Sequence, residues 1–192
     1  MTGVAVVILA GGEGRRIGGE KPLRLLGERR LIDRALDLAR RWSSTIAVAV
    51  REASQTPSVD AEIIEDEPIE GPLGGLAAGL KFSRSKGCPL LLTVPADMPF
   101  LPPDLLDRFT AAIGAFGCAI ASSGGHAHPV SGLWRVSVVD WLDEYVSSGA
   151  RSLKGFAALV GAVEVEWPTD PDGPFFNINS ADDLAEAEKR LG

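Results

Sequence analysis

The sequence predicts an α/β protein with three αβα layers, built on a Rossmann-like, mostly parallel sheet. Short apolar, β-branched runs without polar alternation recur along the 192 residues, as in strands that are buried on both faces. Segments with apolar residues at helical spacing separate these runs. A glycine-rich stretch follows the first run directly. Such an alternation of strands and helices is typical of a parallel sheet with helices on both faces.

The elements are predicted in order along the chain. Residues 4–9 form an apolar run with no polar residue, which indicates a buried strand. Residues 31–42 carry apolar side chains at helical spacing. A helix over residues 103–112 has proline near its start, where no helical hydrogen bond needs an N–H. Further strands are predicted at residues 45–50, 61–64, 89–94, 118–121, 129–134 and 163–167, and further helices at residues 73–82, 138–146, 152–160 and 181–191. No linker interrupts the series, so residues 1–192 are expected to form a single domain.

The composition limits the partners that the protein is expected to have. Asp and Glu total 26 against 19 Lys and Arg, and the formal charge of −7 argues against binding to nucleic acid or anionic lipid. No apolar run reaches the roughly 18 residues that span a bilayer. The first charges follow the N-terminal apolar run instead of preceding it, unlike a secretory signal. Cys88 and Cys118 form no disulfide framework. We therefore expect a cytoplasmic protein without membrane or nucleic-acid partners.

The loop after the first strand combines five glycines with positive charge, in the sequence LAGGEGRRIGGEK over residues 9–21. Glycine allows main-chain amides to approach a phosphate closely, and Arg16 and Lys21 add two cations. The loop is not a P-loop, because Glu20 follows Gly19, and it lacks the dinucleotide fingerprint, because Ile17 stands where glycine is required. Ligands of open α/β sheets bind beyond the carboxyl ends of strands, so this loop predicts an anion site.

The segment from Arg15 to Arg41 is basic within an acidic protein. It contains nine Lys or Arg residues and four Asp or Glu residues. A cationic segment beside a glycine-rich loop suits an anionic ligand such as a nucleoside triphosphate. Most of the arginines from Arg29 to Arg41 are nevertheless expected to form the solvated face of one helix.

Five motifs follow one another along the chain. They are Leu9-Ala10-Gly11-Gly12 with Arg16 and Lys21, Ile64-Glu65-Asp66 before Gly71-Pro72-Leu73-Gly74-Gly75, Asp97-Met98-Pro99-Phe100-Leu101-Pro102, His128-Pro129-Val130-Ser131-Gly132-Leu133-Trp134, and Phe176-Asn177-Ile178-Asn179-Ser180. In this order they resemble the nucleotidyltransferases, specifically the molybdenum cofactor guanylyltransferases. The resemblance spans essentially the whole chain and implies a sheet of the nucleotidyltransferase type.

The resemblance implies a reaction and its substrates. GMP would pass from GTP to the terminal phosphate of Mo-molybdopterin, giving molybdopterin guanine dinucleotide cofactor and pyrophosphate, with Mg²⁺ as the metal. Because the molybdenum cofactor is labile, molybdoenzymes or cofactor-handling proteins are expected as further partners. No Ser-His-Asp or Cys-His set is recognisable, so we expect direct in-line displacement without a covalent enzyme intermediate.

The resemblance also assigns roles to single residues. Catalysis would rest on Arg16, Lys21 and Asp97, with Asp97 as the metal ligand. Nucleotide binding would involve Leu9, Ala10, Gly11, Gly12, Lys21, Asp66 and Asp97. Asn177 and Asn179 would face the molybdopterin substrate, and in a strand their spacing of two would place them on the same side. For Asn179, a role in capping the helix that begins near Ala181 stays open. We expect His128 to be structural or peripheral to the cleft.

Two positions bear on the choice of base. Val48 stands where some members of the resembled family have a nucleotide-contacting asparagine, which would weaken guanine recognition. Gly11 favours guanine, because cytidylyltransferase relatives tend to carry alanine there. One open alternative is a cytidylyl- or guanylyltransferase that acts on another phosphorylated acceptor, such as cobinamide phosphate or a sugar phosphate. The other is a nucleotide-binding module without turnover.

Overall fold

The computed structural model describes residues 3–11, 21–52, 58–169 and 173–191, and a seven-stranded sheet runs through them. Its strands are β1 (Val4–Leu9), β4 (Ile46–Val50), β5 (Glu62–Glu65), β6 (Leu90–Pro95), β7 (Cys118–Ser123), β8 (His126–Arg135) and β9 (Ala162–Trp167). Two short strands, β2 (Leu25–Leu26) and β3 (Arg29–Arg30), form a separate hairpin. The helices are α1 (Leu31–Trp42), α2 (Pro72–Ser85), α3 (Leu105–Ala112), α4 (Leu142–Ser147), α5 (Leu153–Leu159) and α6 (Ala181–Lys189).

The strand order is β5-β4-β1-β6-β8-β7-β9. Strand β8 pairs antiparallel with both β6 and β7, whereas the pairs β4–β5, β1–β4, β1–β6 and β7–β9 are parallel. The prediction of a mostly parallel sheet is therefore confirmed. The carboxyl ends of β5, β4, β1 and β6 lie side by side at one edge, and this is where an open α/β sheet binds ligands.

Two hydrophobic cores lie on opposite faces of this sheet. One core packs α1 and α3 against the sheet through residues such as Ile32, Leu36 and Phe109. The other packs α2, α4 and α5 against the opposite face, with Leu76 and Phe156 fully buried. Burial of each such side chain contributes about 1.5–3 kcal/mol. The three-layer architecture is confirmed.

A third, small core holds the C-terminal helix. Leu26 of the β2–β3 hairpin and Leu31 of α1 pack with Ile178 and with Ala187 of α6. Ile178 lies between Asn177 and Asn179, so burial of Ile178 in this core fixes the positions of both asparagines at the sheet edge. We call residues 173–180, which lead into α6, the C-terminal strap.

Several predicted elements differ in detail from the structure. The predicted helix over residues 138–146 is a 3₁₀ turn, Val136–Trp141, followed by α4, and Trp141 is exposed. Strand β8 begins at His126, before the predicted boundary, because its first residues pair with β7 beyond an irregularity at Ile120 and Ala121. Cys88 and Cys118 are buried free thiols, as expected. Within the described ranges, no helix combines the length and the apolar character needed to cross a membrane.

Candidate active site

Three loops leave the sheet together at the carboxyl ends of its parallel strands. The Ala10 N–H donates to the carbonyl of Ala49 at 2.8 Å, and the Asp66 N–H donates to the carbonyl of Val50 at 2.7 Å. The Ala96 N–H in turn donates to the carbonyl of Leu9 at 3.0 Å. These bonds extend the strand pairing by one residue and bring the loops that carry Leu9, Asp66 and Asp97 to the same level.

Lys21 is the centre of a polar cluster at this edge. It lies in a 3₁₀ turn, Lys21–Leu23, and is only 9% exposed. Its Nζ donates to Oδ2 of Asp97 at 2.5 Å and to Oδ1 of Asn179 at 2.8 Å. A longer bond of 3.4 Å reaches Oδ1 of Asn177. The structure thus brings together four of the predicted site residues around one buried ammonium group, which is stabilised by charge-assisted hydrogen bonds.

The C-terminal strap supplies the two asparagines without forming a strand. Residues 176–179 have no strand pairing, so the two amides share one side without the strand geometry considered for their spacing. The strap is held instead by the Ile178 N–H, which donates to the main-chain carbonyl of Asp97 at 3.0 Å. The helix cap of α6 is Ser180, whose hydroxyl accepts from the Asp183 N–H. The Asn179 side chain is therefore not the cap, and it faces Lys21.

A cavity of about 210 Å³ lies next to this cluster. Its lining combines apolar side chains, glycine main chain and a few polar groups, namely Leu9, Gly11, Arg51, Asp66, Gly71, Pro72, Gly75, Pro95, Asp97, Val130 and Asn177. Oδ1 of Asp66 and Oδ1 of Asp97 are both buried and have no hydrogen-bond partner in the described part of the chain. Buried acceptors without donors are costly, so both atoms are available to accept a hydrogen bond from a ligand or to hold a cation.

The Asp66 carboxylate lies close to two glycines that line the cavity. A Cβ at Gly11 would overlap Asp66 Oδ2, and a Cβ at Gly75 would lie 3.2 Å from Oδ1 and 2.8 Å from Cδ2 of Leu9. Burial raises the pKa of Asp66, and the positive charge of Arg51 opposes this rise. The glycines therefore make room for a half-buried acid whose charge Arg51 supports.

The remaining predicted site residues fall into three groups. Ala10 is buried beside a smaller cavity that Lys21 and Asp97 also line. Gly12 and Arg16 lie outside the described residues. Val48 is fully buried in the core beneath α1 and does not line the cavity, so the inference that valine at this position weakens guanine recognition is not borne out. Its strand reaches the cavity three residues later, at Arg51.

Sequence reasoning missed Arg51, and no local pattern sets it apart from the other arginines. Its only signal is its position immediately after β4, at the edge where ligands bind. The glycines after Asp66, by contrast, belong to a motif that the sequence analysis quoted. Gly71 and Gly75 now appear as cavity wall at the start of α2.

Of the arginines expected on the solvated face of one helix, Arg34, Arg40 and Arg41 lie in α1, whereas Arg29 and Arg30 precede it in β3. Arg30 pairs with Asp33 at 2.6 Å, Arg40 pairs with Asp60 at 2.8 Å, and Arg29 pairs with Asp37. The Arg34 guanidinium donates to the carbonyl of Leu26 at 2.7 Å. Within the described ranges, the cation of this segment that reaches the candidate site is Lys21.

His128 has a structural environment. Its ring stacks on Phe175 with 4.8 Å between centroids, and Nε2 lies 2.9 Å from the hydroxyl of Ser123. Burial lowers the pKa of His128, the charge of His126 lowers it further, and Glu166 opposes both. These contacts connect β8 to the C-terminal strap.

Comparisons with known proteins show which family this chain is similar to. The MobA-like NTP transferase domain matches residues 6–162. A molybdenum cofactor guanylyltransferase from Cereibacter sphaeroides is 37% identical over 187 residues, which cover 96% of this chain and 95% of that protein. One from Bradyrhizobium sp. strain ORS 278 is 39% identical over 197 residues, covering 98% and 93% respectively. Among solved structures, molybdopterin-guanine dinucleotide biosynthesis protein A from Archaeoglobus fulgidus superposes with a TM-score of 0.79 at 26% identity, covering 97% of this chain and 98% of that one.

Proposed function

The chain belongs to the MobA-like NTP transferase family, and on that premise we propose that it is a molybdenum cofactor guanylyltransferase. It transfers GMP from GTP to the terminal phosphate of Mo-molybdopterin, which yields molybdopterin guanine dinucleotide and pyrophosphate. Relatives that carry this name match almost the whole chain. The observation that supports placing this reaction at the sheet edge is the buried ammonium group of Lys21. Asp97 and the two strap asparagines hold it there.

The chemistry requires two anions to meet. An oxygen of the acceptor phosphate forms a bond to the α-phosphorus of GTP. The bond from that phosphorus to the oxygen that bridges to the β-phosphate breaks, and pyrophosphate leaves. Charge neutralisation and alignment dominate the catalysis of such a step. Lys21 is a compact point charge, and we expect it to exchange part of its contact with Asp97 for phosphate oxygens of GTP.

Asp97 fits a divalent metal, which we propose to be Mg²⁺. Its Oδ1 is buried without a hydrogen-bond donor in the described residues, although its Oδ2 pairs with Lys21. Mg²⁺ is commonly held by one or two carboxylates together with substrate phosphates. When bound, the metal would neutralise charge that develops on the phosphate oxygens. Lys21 would balance the charge of the second Asp97 oxygen.

The cavity lined by Leu9, Gly11 and Asp66 is the proposed nucleotide site. Its apolar walls suit a planar base, and the orphan Oδ1 of Asp66 requires a donor such as an exocyclic amino group. Main-chain groups of Leu9, Ala10 and Gly11 lie at the carboxyl end of β1, where they can approach the phosphates. We retain the proposed roles of Gly12 in nucleotide binding and of Arg16 in holding the leaving pyrophosphate.

Asn177 and Asn179 are proposed to bind the molybdopterin phosphate. Lysine can only donate, so the oxygen of each amide must point at Lys21. Each amide group then has its N–H₂ available for another acceptor. A phosphate oxygen on the far side of the amides satisfies this need. We further propose that residues 1–192 act as one nucleotidyltransferase domain.

Two steps test this function. The first compares thermal unfolding of the protein with Mg²⁺ and each of GTP, CTP, ATP and UTP. A ligand that binds only the folded state stabilises it by about 2.7 kcal/mol at roughly 100 times its Kd. The second measures pyrophosphate release with Mo-molybdopterin, cobinamide phosphate or a sugar phosphate as acceptor. Stabilisation by GTP and release only with molybdopterin are expected.

Other outcomes select an alternative. A larger shift with CTP would overturn the choice of guanine. Release with a different acceptor would reassign the second substrate. Binding of the Mg-nucleotide without pyrophosphate release on any acceptor would indicate a nucleotide-binding module.

A further inference from the structure

Asp183, in the first turn of α6, makes one hydrogen bond more than a helix cap requires. A capping box consists of two reciprocal bonds between the N-cap residue and the third helical residue. Here Ser180 Oγ accepts from the Asp183 N–H at 3.1 Å, and Asp183 Oδ2 accepts from the Ser180 N–H at 2.8 Å. The same Oδ2 also accepts from the N–H of Asn179, at 2.8 Å. This additional bond fixes the residue whose side chain contacts Lys21.

Packing of Phe175 and Ile178 anchors the strap, but its main chain at Asn179 is held by Asp183. Its residues pair with no strand, so their main-chain N–H groups depend on individual acceptors. The Ile178 N–H uses the main-chain carbonyl of Asp97, and the next two N–H groups both use Asp183. Asn179 itself is exposed, so packing does not hold its side chain in place. The carboxylate of Asp183 therefore fixes the main-chain orientation from which the Asn179 amide reaches Lys21.

Electrostatics connect the same three residues. The pKa of Asp183 is lowered mainly by the hydrogen bond from the Asn179 main chain, and the positive charge of Lys21 lowers it as well. Asp183 thus remains ionised near the site and lies within the field of the Lys21 ammonium. A contiguous chain of contacts runs from Asp183 through Asn179 to Nζ of Lys21.

We propose that Asp183 is a positioning residue for nucleotidyl transfer, which fixes Asn179 and through it the ammonium group of Lys21. This inference rests on the proposed function, since it assigns Lys21 a role toward phosphate. Asp183 touches neither substrate. By fixing Asn179, Asp183 keeps the Lys21 ammonium hydrogen-bonded to both Asn179 and Asp97. Without it, the ammonium would pair with Asp97 alone.

The test compares five single variants and one double variant of the full chain. Asp183→Ala removes the acceptor, whereas Asp183→Asn keeps an acceptor oxygen of the same reach. Asp182→Ala is the matched control, because Asp182 is an exposed acid in the same helical turn. Ser152→Ala removes the helix cap of α5, away from the site, and controls for the loss of a cap. Asn179→Ala is made alone and together with Asp183→Ala.

Four quantities are measured for each variant. These are kcat and KM for GTP, the free energy of unfolding, and the rate at which an acylating reagent modifies Lys21, followed by peptide mass spectrometry. We expect Asp183→Ala to lower kcat by about 10- to 100-fold, because small displacements of a positioned charge have effects of this size. Lys21 should be acylated several-fold faster. Asp183→Asn should recover most of both values, and the two control variants should leave both unchanged.

The double variant separates positioning from stability. If Asp183 acts through Asn179, its loss lowers turnover no further in the Asn179→Ala background, whereas a loss of turnover caused by general destabilisation would recur there. An equal fold-loss of kcat in both backgrounds would overturn the proposal, as would equal effects of Asp182→Ala and Asp183→Ala. If wild-type protein released no pyrophosphate with molybdopterin, the proposed function would fail. The Lys21 acylation rates would still decide the role of Asp183.

Discussion

The α-carbon of Gly11 faces the carboxylate of Asp66 so closely that a methyl group there would overlap Asp66 Oδ2. Gly11 lies in the loop that follows β1. Asp66 follows β5, which is two strands away from β1 in the sheet. Both residues line the proposed nucleotide cavity. The absence of a side chain at position 11 therefore determines where a charged group of the cavity can lie.

We predict that Gly11→Ala weakens GTP binding by about tenfold or more, because Asp66 must move out of the cavity wall. A shift of 1.4 kcal/mol in binding free energy corresponds to this factor. Titration calorimetry of GTP with wild-type protein and variant provides the measurement. Gly3→Ala is the control, since a Cβ at that position would make ordinary contacts of 3.6 Å. Equal affinities for wild type and Gly11→Ala would show that Asp66 does not take part in binding.

Asp97→Asn should abolish most turnover while the protein stays folded. The substitution keeps the shape but removes the charge that pairs with Lys21 and would hold the metal. Loss of a preorganised charge in an active site typically costs about 10²–10³ in kcat. Steady-state pyrophosphate release at saturating GTP measures this, with Asp140→Asn as the control for loss of an exposed acid. Near-wild-type turnover in Asp97→Asn would remove Asp97 from the metal role.

Thr93→Val should destabilise the fold without affecting catalysis. Nε1 of Trp134 donates to Oγ1 of Thr93 at 3.1 Å, and that hydroxyl donates to the carbonyl of Gly132 at 3.2 Å, all within the sheet core. Valine has the same shape but leaves the indole N–H without an acceptor, which costs about 1–3 kcal/mol. Urea unfolding of this variant and of Thr110→Val, at an exposed helical position, tests the difference. Equal midpoints would contradict it.

The stability of the protein should fall as the pH drops below about 6.5, and His128 should account for part of the fall. Burial holds the pKa of His128 below its ordinary value of 6.5, so the unfolded state binds the proton first. Stability then decreases from pH 6.5 down to the lowered pKa, by at most about 1.4 kcal/mol per pH unit for one proton. Unfolding of wild type and His128→Gln between pH 7.5 and 5, roughly the range in which histidine titrates, measures this. Parallel pH profiles would show that another group is responsible.

The order of elements in the fold could be predicted because its central strands are buried on both faces. Apolar runs such as residues 4–9 and 89–94 are six residues long, too short for a typical helix, and this length favours buried strands. The β2–β3 hairpin could not be predicted, since two-residue strands are too short to show a period. The antiparallel direction of β8 is not part of the sequence prediction, although the Gly124-Gly125 pair between β7 and β8 is a local hairpin signal and both glycines have positive φ. It follows from the connection that returns the chain between β6 and β7.

The site could be predicted less completely. Lys21, Asp97 and the two strap asparagines converge as expected, because three separate segments end at one edge of the sheet. The interpretation of Val48 failed because the sequence does not show that β4 continues to Val50, so that the first residue lining the cavity is Arg51. The role of Asp183 depends on a hydrogen bond to the residue before the cap. The Ser-x-x-Asp spacing indicates the capping box but not that additional bond.

The most direct test of the central claim follows the α-phosphate of GTP. GTP radiolabelled at that position is incubated with Mg²⁺, Mo-molybdopterin and either wild-type protein or Lys21→Met. We predict that wild-type protein transfers the label into a molybdopterin dinucleotide, with one pyrophosphate released for each label transferred. Lys21→Met should bind molybdopterin but transfer label about 10²–10³ times more slowly. Label that never enters molybdopterin with wild-type protein, or that enters equally fast with Lys21→Met, would contradict the account.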